Sequence, residues 1–203
     1  MPARALRYLA LGDSLTLGTG ASSEHHNFPT LLSRNLSAAS GRLVRLTNHA
    51  TDGATTDDLI RNQLDQIDSA RPDYVSILIG ANDISQGRGR ADYQGSLIWI
   101  YDVIASRGLP PTRVAAISIP DWSAVPAGTR FGQPDSLRLT IEGFNAVARS
   151  EAAVPVKVTG PCQRRQRADS HKNQNDGSYH THCLLLKNVL STPSTNATAT
   201  ALR

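Results

Sequence analysis

The chain has 203 residues, of which 39% are hydrophobic and 19% are charged, and its formal net charge is +4. This composition excludes collagen-like, mucin-like and wholly disordered proteins, and the length favours one sizeable domain. No stretch approaches the roughly 18 consecutive apolar residues of a membrane span, and the apolar run at 9–11 is too short for a signal peptide. We therefore expect a soluble, cytoplasmic protein without a membrane partner.

The charge is distributed unevenly along the chain. Residues 1–150 contain 14 arginines, no lysine and 14 acidic residues, so their formal charges cancel. Residues 151–203 contain seven basic and three acidic residues, so they carry the whole net charge. Because the composition changes near this boundary, we predict a folded domain over residues 1–159 and an atypical tail over residues 160–203.

Apolar runs and helical periodicity predict alternating strands and helices. In chain order the predicted elements are a strand at 7–11, a helix at 28–36, a strand at 43–46, a helix at 56–67, a strand at 74–79, a helix at 93–106, a strand at 114–119, a helix at 137–150 and a strand at 154–158. The third and fourth strands are almost continuously apolar, which is typical of a parallel sheet buried on both faces. Pro155 weakens the last strand because proline cannot donate to a β-ladder.

Alternating strands and helices of this length predict βαβ units, and therefore a three-layer α/β/α sandwich around a parallel sheet. Residues 56–58, Thr-Asp-Asp, supply a cap and an acidic first turn for the helix at 56–67. In open parallel sheets, ligands bind beyond the carboxyl ends of the strands. We therefore expect the functional residues in the loops that follow the strands.

Three of these loops contain residues suited to a nucleophilic site. Ser14 follows the first strand, where its hydroxyl could face solvent as a nucleophile with backbone N–H groups nearby. Gly53 precedes a capped helix and could offer an unobstructed N–H to an anionic oxygen. Asn82 could donate its amide into the same crevice, with Asp83 capping the helix that follows. Each loop by itself is equally compatible with an ordinary turn.

Phosphate-binding and elbow motifs fit the first loop less well. It is not a GxSxG elbow, because the glycine after Ser14 comes only at Gly18. A dinucleotide fingerprint would need a third glycine at Ser23, and no Gly-Lys-Ser/Thr is present for a P-loop. An FMN-binding module that uses residues 14–19 as a phosphate loop stays an alternative, which predicts a coloured protein.

Together, the three loops resemble the GDSL, or SGNH, hydrolase family of esterases and lipases. Residues 12–15 are Gly-Asp-Ser-Leu, Gly53 matches the glycine of the second block, and residues 80–83 are Gly-Ala-Asn-Asp. The resemblance implies a flavodoxin-like sandwich with a mostly five-stranded parallel sheet, and hydrolysis of small carboxylic esters without a metal or organic cofactor. It also implies that Ser14 is the nucleophile, with the N–H groups of Ser14 and Gly53 and the side chain of Asn82 as the oxyanion hole.

The family places its acid and base in a DxxH pattern near the carboxyl terminus. The nearest candidate pair here is Asp176 and His180, a DxxxH pattern with Thr181 in place of the usual proline. One extra residue moves the imidazole by about 3 Å in an extended chain. Because nucleophile and base must come within about 3 Å of each other, a shift of this size could prevent the triad from forming. Poorer candidates for the base are His171 and His182. The remaining histidines are predicted to be surface or turn residues: His25, His26 and His49.

Two interpretations of the tail stay open. In one, it is a divergent but functional end in which Asp176 and His180 complete the site. In the other, the residues after about 153 derive from a different reading frame, and the protein is a catalytically impaired member that retains the crevice.

Cys162 and Cys183 match no zinc-ligand spacing and are predicted to be free thiols. The arginines at 164–167 are predicted to be a solvated charge run, so we expect a small-molecule partner and no nucleic acid.

Overall fold

A four-stranded parallel sheet forms the centre of residues 4–153, the part of the chain that the computed structural model describes. Its strands are β1 (Leu6–Gly12), β2 (Val44–Asn48), β3 (Tyr74–Leu78) and β4 (Val114–Ala116). They pair in the order β2-β1-β3-β4, which is the flavodoxin-like order that the resemblance implies. The predicted fold class is confirmed with four of its five strands, and the predicted strand at 154–158 lies outside the described residues.

The central strand, β1, is buried on both faces. Successive side chains of a strand point to opposite sides of the sheet. Leu9 and Leu11 accordingly enter the larger core, whereas Tyr8 and Ala10 enter a smaller core on the other side. The sheet therefore separates two apolar layers, as the near-continuous apolar composition of its strands predicts.

Helices cover both faces of the sheet. The described α-helices are α1 (Ser14–Leu17), α2 (Phe28–Ser40), α3 (Thr56–Asn62), α4 (Gln66–Ala70), α5 (Ala81–Ser85), α6 (Arg90–Ser106) and α7 (Pro134–Ala153), with short 3₁₀ turns at Glu24–His26, Pro111–Arg113 and Pro126–Phe131. Leu32 and Leu36 of α2 pack on the smaller core, and residues of α3 to α7 build the larger core, so the three-layer arrangement is confirmed. Within residues 4–153, no helix is both long enough and apolar enough to cross a membrane.

The helix predicted over 56–67 is wrong as a single element. The structure has α3 and α4 there, separated by residues 63–65, and the N–H of Leu64 bonds back to the carbonyl of Leu59. Leu59, Leu64 and Ile67 still enter one core, so the apolar spacing continues across the break and does not reveal it. The other predicted helices are confirmed with longer bounds, and α5 is an additional short helix after β3.

The predicted cap of α3 is also displaced by one residue. Thr55, and not Thr56, is the N-cap: its hydroxyl accepts from the N–H of Asp58 at 3.3 Å, and the Asp58 carboxylate accepts from the Thr55 N–H at 3.0 Å. This reciprocal pair is a capping box. The hydrogen bonds from the Thr55 hydroxyl and N–H are the main reason that the pKa of Asp58 falls to about 2.

A side-chain amide attaches α7 to the sheet. Asn145 accepts a hydrogen bond from the N–H of Ile119 and donates one to its carbonyl, both at 2.8 Å. Ile119 lies just beyond β4 and is almost fully buried. Both backbone groups of Ile119 are therefore satisfied by one side chain, as buried backbone groups require.

Replacing Asn145 with leucine should destabilise the fold without changing its architecture. Asn145→Leu leaves the N–H and carbonyl of Ile119 unpaired, and we expect a loss of roughly 2–4 kcal/mol in the free energy of unfolding. Urea titration measures this loss. Ala146→Leu, at an exposed neighbour on the same helix, is the control and should change stability by less than about 0.5 kcal/mol. Equal midpoints for the two variants would contradict the role of Asn145.

Candidate active site

Three loops that follow neighbouring strands meet at the carboxyl edge of the sheet. Ser14 follows β1 after one residue, Gly53 lies in the loop after β2, and Asn82 is the second residue of α5 after β3. Because β1 lies between β2 and β3, the loop that carries Ser14 is flanked by the other two. The Ser14 and Asn82 residues are half-buried and Gly53 is exposed, so the three line an accessible part of the surface.

Ser14 is held at the start of a single helical turn. Asp13 caps α1, with its carboxylate accepting from the N–H of Leu15 at 3.0 Å. Gly18 closes the turn in the left-handed conformation and donates its N–H to the carbonyl of Ser14 at 2.9 Å. As the first residue of a helix, Ser14 has an N–H group with no carbonyl partner within that helix. The turn thus presents a hydroxyl and a backbone donor from one residue.

Gly12 requires the absence of a side chain. Its φ is +151°, and a Cβ at this position would overlap the carbonyl of Leu78 and the side chain of Thr16. A side-chain amide from the end of α3 also binds this glycine, because Gln63 accepts from its N–H at 2.9 Å and donates to its carbonyl at 2.8 Å. No local pattern marks Gln63, because its partner lies 51 residues away in the sequence.

The loop after β2 is tied to the end of β1. His49 donates its N–H to the carbonyl of Ala10 at 2.9 Å, and Thr51 donates its N–H to the carbonyl of Gly12 at 3.1 Å. Gly53 follows at the tip of the loop with φ of +72°, a conformation that favours glycine. A Cβ on Gly53 would meet no atom within 4 Å, so its exposed backbone faces open space.

The side chain of Asn82 is fixed against the loop that carries Gly53. Its Nδ2 donates to the carbonyl of Ala54 at 2.9 Å, which occupies one of the two N–H groups of the amide. Gly80, just before α5, has φ of +123°, and a Cβ there would lie 2.8 Å from Tyr93 and 2.9 Å from Ile119. The close packing around Gly80 and the hydrogen bond of Asn82 together set the position of this amide.

The prediction that Asp83 caps the following helix is wrong. Its carboxylate binds the start of α3 instead. It is fully buried within α5 and accepts hydrogen bonds from the N–H of Thr56 at 3.0 Å and from its hydroxyl at 2.6 Å. Arg88 lies 3.4 Å from the same carboxylate and 2.9 Å from Asp57. The buried charge is thereby paired and hydrogen-bonded, which a buried carboxylate needs. It joins the loop of Asn82 to the helix that follows Gly53.

Asp13 is a buried carboxyl group beside the candidate nucleophile. Its Oδ2 has no hydrogen-bond partner among the described residues. Burial is the main cause that raises the pKa of Asp13 to about 6, the nearby charge of Asp83 adds to the rise, and the hydrogen bond from Leu15 opposes it. Part of the population is therefore protonated in mildly acidic solution.

The three described histidines do not supply a hydrogen-bonded base for Ser14. His25 and His26 lie exposed in a 3₁₀ turn, where the Nδ1 of His26 is 2.7 Å from the hydroxyl of Ser22. His49 is half-buried beside the loop of Gly53, and none of these three rings is hydrogen-bonded to Ser14. No cluster of potential metal ligands occurs among the described residues. The predicted acid and base lie outside the described residues, as do the alternative bases: Asp176, His180, His171 and His182.

Neutralising Asp13 should change the pH dependence of stability. An unfolded aspartate has a pKa of about 3.9, so between about pH 4 and pH 6 the folded protein holds a proton that the unfolded chain releases, and stability falls as the pH rises. Asp13→Asn keeps the capping oxygen but removes this fall, which amounts to roughly 3 kcal/mol.

Urea titrations at pH 4 and pH 7.5 measure the effect. We expect Asp13→Asn to gain stability relative to the unmodified protein as the pH rises, and exposed Asp102→Asn to show no such trend. A stability difference for Asp13→Asn that is the same at both pH values would show that the Asp13 carboxyl titrates normally.

This chain is similar in sequence and in fold to known lipases and esterases. The sequence profile of the GDSL-like lipase/acylhydrolase family matches residues 10–182. A lipase from Streptomyces rimosus is 30% identical in an alignment of 187 positions, gaps included, that covers 74% of this chain and 67% of that protein. Among solved structures, the SGNH-hydrolase family esterase AlinE4 has a TM-score of 0.59 at 21% identity, covering 75% of this chain and 73% of its own. A lipase/acylhydrolase from Enterococcus faecalis has a TM-score of 0.52 at 27% identity, covering 73% of this chain and 72% of its own.

The profile match begins in β1 and covers most of the chain, including every loop described above. The structural neighbours have the same fold, a parallel sheet between layers of helices. The chain therefore belongs to the GDSL-like lipase/acylhydrolase family.

Proposed function

We propose that the protein is a serine hydrolase of small carboxylic esters with Ser14 as its nucleophile. The observation that carries the proposal is the hydrogen-bonded continuity of the three strand-end loops. Thr51 links the loop of Gly53 to Gly12, two residues before Ser14, and Asn82 binds the same loop through Ala54. Family membership favours this hydrolase over the FMN-binding alternative.

The proposed reaction has two halves. The Ser14 hydroxyl attacks the acyl carbon while a histidine takes its proton, and the proton then passes to the departing alcohol. Water, which gives a proton to the same histidine, next attacks the acyl-serine, and the carboxylic acid leaves as the histidine returns this proton to the Ser14 oxygen. We assign His180 as this base and Asp176 as the carboxylate that orients it, both on their sequence pattern alone.

Three donors would stabilise the oxyanion of each tetrahedral intermediate: the N–H groups of Ser14 and Gly53 and the Nδ2 of Asn82. Donors stabilise a transition state most when they are held in place before the charge develops. The second N–H of Asn82 has the required rigidity, because the first is bound to Ala54 at 2.9 Å. The left-handed backbone of Gly53 and its open surroundings leave room for a substrate oxygen.

Removing the Ser14 hydroxyl should abolish ester hydrolysis. We expect the purified protein to hydrolyse p-nitrophenyl acetate and butyrate, and Ser14→Ala to reduce kcat/KM by at least about 10³-fold. A fluorophosphonate probe should also label the unmodified protein at Ser14. The esterase EstA from Pseudoalteromonas sp., which has a similar fold, is inhibited by monoethylphosphonate. Exposed Ser106→Ala is the control and should retain full activity. Equal rates for the Ser14→Ala variant and the unmodified protein would refute the proposal.

The competing candidate function is a catalytically impaired member that binds esters without hydrolysing them, which the irregular DxxxH pattern favours. Substitution of each tail histidine separates the two. If His180 is the base, His180→Ala should lower kcat by about 10³–10⁴-fold, because serine is a weak nucleophile without one. His171→Ala and His182→Ala should retain activity. Absence of both hydrolysis and fluorophosphonate labelling in the unmodified protein would establish the impaired alternative.

A further inference from the structure

The side-chain amide of Gln63 binds both backbone groups of Gly12, two residues before the candidate nucleophile. Gln63 is only 1% exposed, and its two polar atoms both bind Gly12. Its Oε1 accepts from the Gly12 N–H at 2.9 Å, and its Nε2 donates to the Gly12 carbonyl at 2.8 Å. The amide therefore pairs with Gly12 as a neighbouring strand would.

This pairing fixes the backbone torsions of Gly12. Its N–H and carbonyl belong to the two peptide planes on either side of its Cα, and a peptide plane moves as a rigid unit. Holding both planes holds φ and ψ, at a residue that has φ of +151° and whose glycine identity otherwise permits many conformations. The direction in which the chain leaves β1 toward Ser14 depends on these two torsions.

The other end of α3 is bound to the oxyanion loops. Thr56 in its first turn bonds to Asp83, in the same short helix as Asn82, and Gly53 lies three residues before it. Gln63 is the C-cap of the same helix. A helix of seven residues is a stiff spacer about 10 Å long. It therefore links the Gly12 end of β1 to the loops of Gly53 and Asn82.

We propose that Gln63 is a positioning residue, which acts through Gly12 to set the Ser14 hydroxyl and N–H against the other oxyanion donors. The inference rests on the proposed function of Ser14. It assigns Gln63 no contact with the substrate. Misplacement of a reacting group by about 1 Å costs roughly 100-fold in rate, so loss of this contact should affect kcat far more than substrate binding.

Two substitutions separate positioning from simple stabilisation. Gln63→Met keeps the approximate length and shape of the side chain but cannot form the two hydrogen bonds, and we expect kcat to fall by about 10- to 100-fold while KM changes by less than about threefold. Gln63→Glu can form both when its carboxyl is protonated, since the O–H then donates to the Gly12 carbonyl and the other oxygen accepts from the N–H. Exposed Gln86→Glu is the matched control for the added carboxyl and should retain activity.

The pH profile is the readout that a merely structural role would not change. Burial raises the pKa of the introduced carboxyl, and its ionised form cannot donate and repels the Gly12 carbonyl. The ratio of the Gln63→Glu rate to the unmodified rate should therefore increase at least fivefold from pH 8 to pH 5.5. The ratio for Gln63→Met should stay constant. The nearby carboxyl groups of Asp13, Asp58 and Asp83 are present in the variant and in the unmodified protein, so their effects on the rate ratio largely cancel.

The result that overturns the inference is a Gln63→Met variant with kcat within twofold of the unmodified value, or a Gln63→Glu ratio that does not change with pH. If Gln63→Met does not fold, the pH dependence of Gln63→Glu decides alone. If the unmodified protein hydrolyses no ester faster than Ser14→Ala does, the proposed function fails separately.

In that last case, amide hydrogen exchange of the full chain, followed by NMR, decides whether Gln63 holds Gly12. The exchange of the Gly12 N–H should be at least tenfold faster in the Gln63→Met variant, whose side chain offers that N–H no oxygen acceptor, than in the unmodified protein at the same pH, while the amides of α6 keep their rates. An unchanged rate at Gly12 would show that Gln63 does not constrain it.

Discussion

The placement of β1 between β2 and β3 is the constraint on which the site depends. Parallel pairing on both sides brings the carboxyl ends of the three strands to one edge of the sheet, and thus brings together loops that are far apart in the sequence. The pairing of Gly12 with Leu78 leaves no room for a side chain at Gly12. The chain that leads to Ser14 can therefore run beside the end of β3 only because residue 12 is glycine.

Side-chain amides extend this pairing beyond the ends of the strands. Gln63 binds both backbone groups of Gly12 at the end of β1, and Asn145 binds both backbone groups of Ile119 beyond β4. A carboxamide has the donor and acceptor geometry of a peptide group, so it can replace a neighbouring strand where none is present. Asn145 belongs to α7 and Gln63 is the C-cap of α3, so each amide also fixes how its helix lies against the sheet.

The sequence alone predicts the strands, the fold class and the candidate loops, because these depend on local patterns. Apolar runs mark the strands, and the residues around Ser14, Gly53 and Asn82 form a recognisable set. The break after α3 cannot be predicted in this way, because Leu59, Leu64 and Ile67 keep helical spacing across it. The long-range contacts of Gln63 and Asp83 are equally hidden, since their partners lie 51 and 27 residues away.

The two adjacent threonines at the start of α3 show why local sequence alone does not identify its cap. Thr55 and Thr56 are both good capping residues by type, and each has an acidic residue nearby. The structure resolves the choice through Asp83, which uses both the N–H and the hydroxyl of Thr56 and so leaves Thr55 to cap the helix. A tertiary contact, rather than a local preference, decides the start of α3.

The central position of β1 has a consequence for synthesis on the ribosome. β1 emerges before both of its partners, and β3, its neighbour on one side, ends only at Leu78. At 5–20 residues per second, the chain needs roughly 3–13 s to extend from the end of β1 to the end of β3. During that interval the apolar side chains of β1 lack part of their final cover, and any nascent chain that stops before β3 retains this exposed strand. Among the four described strands, the order in the sheet thus makes β1 the one that waits longest for its partners.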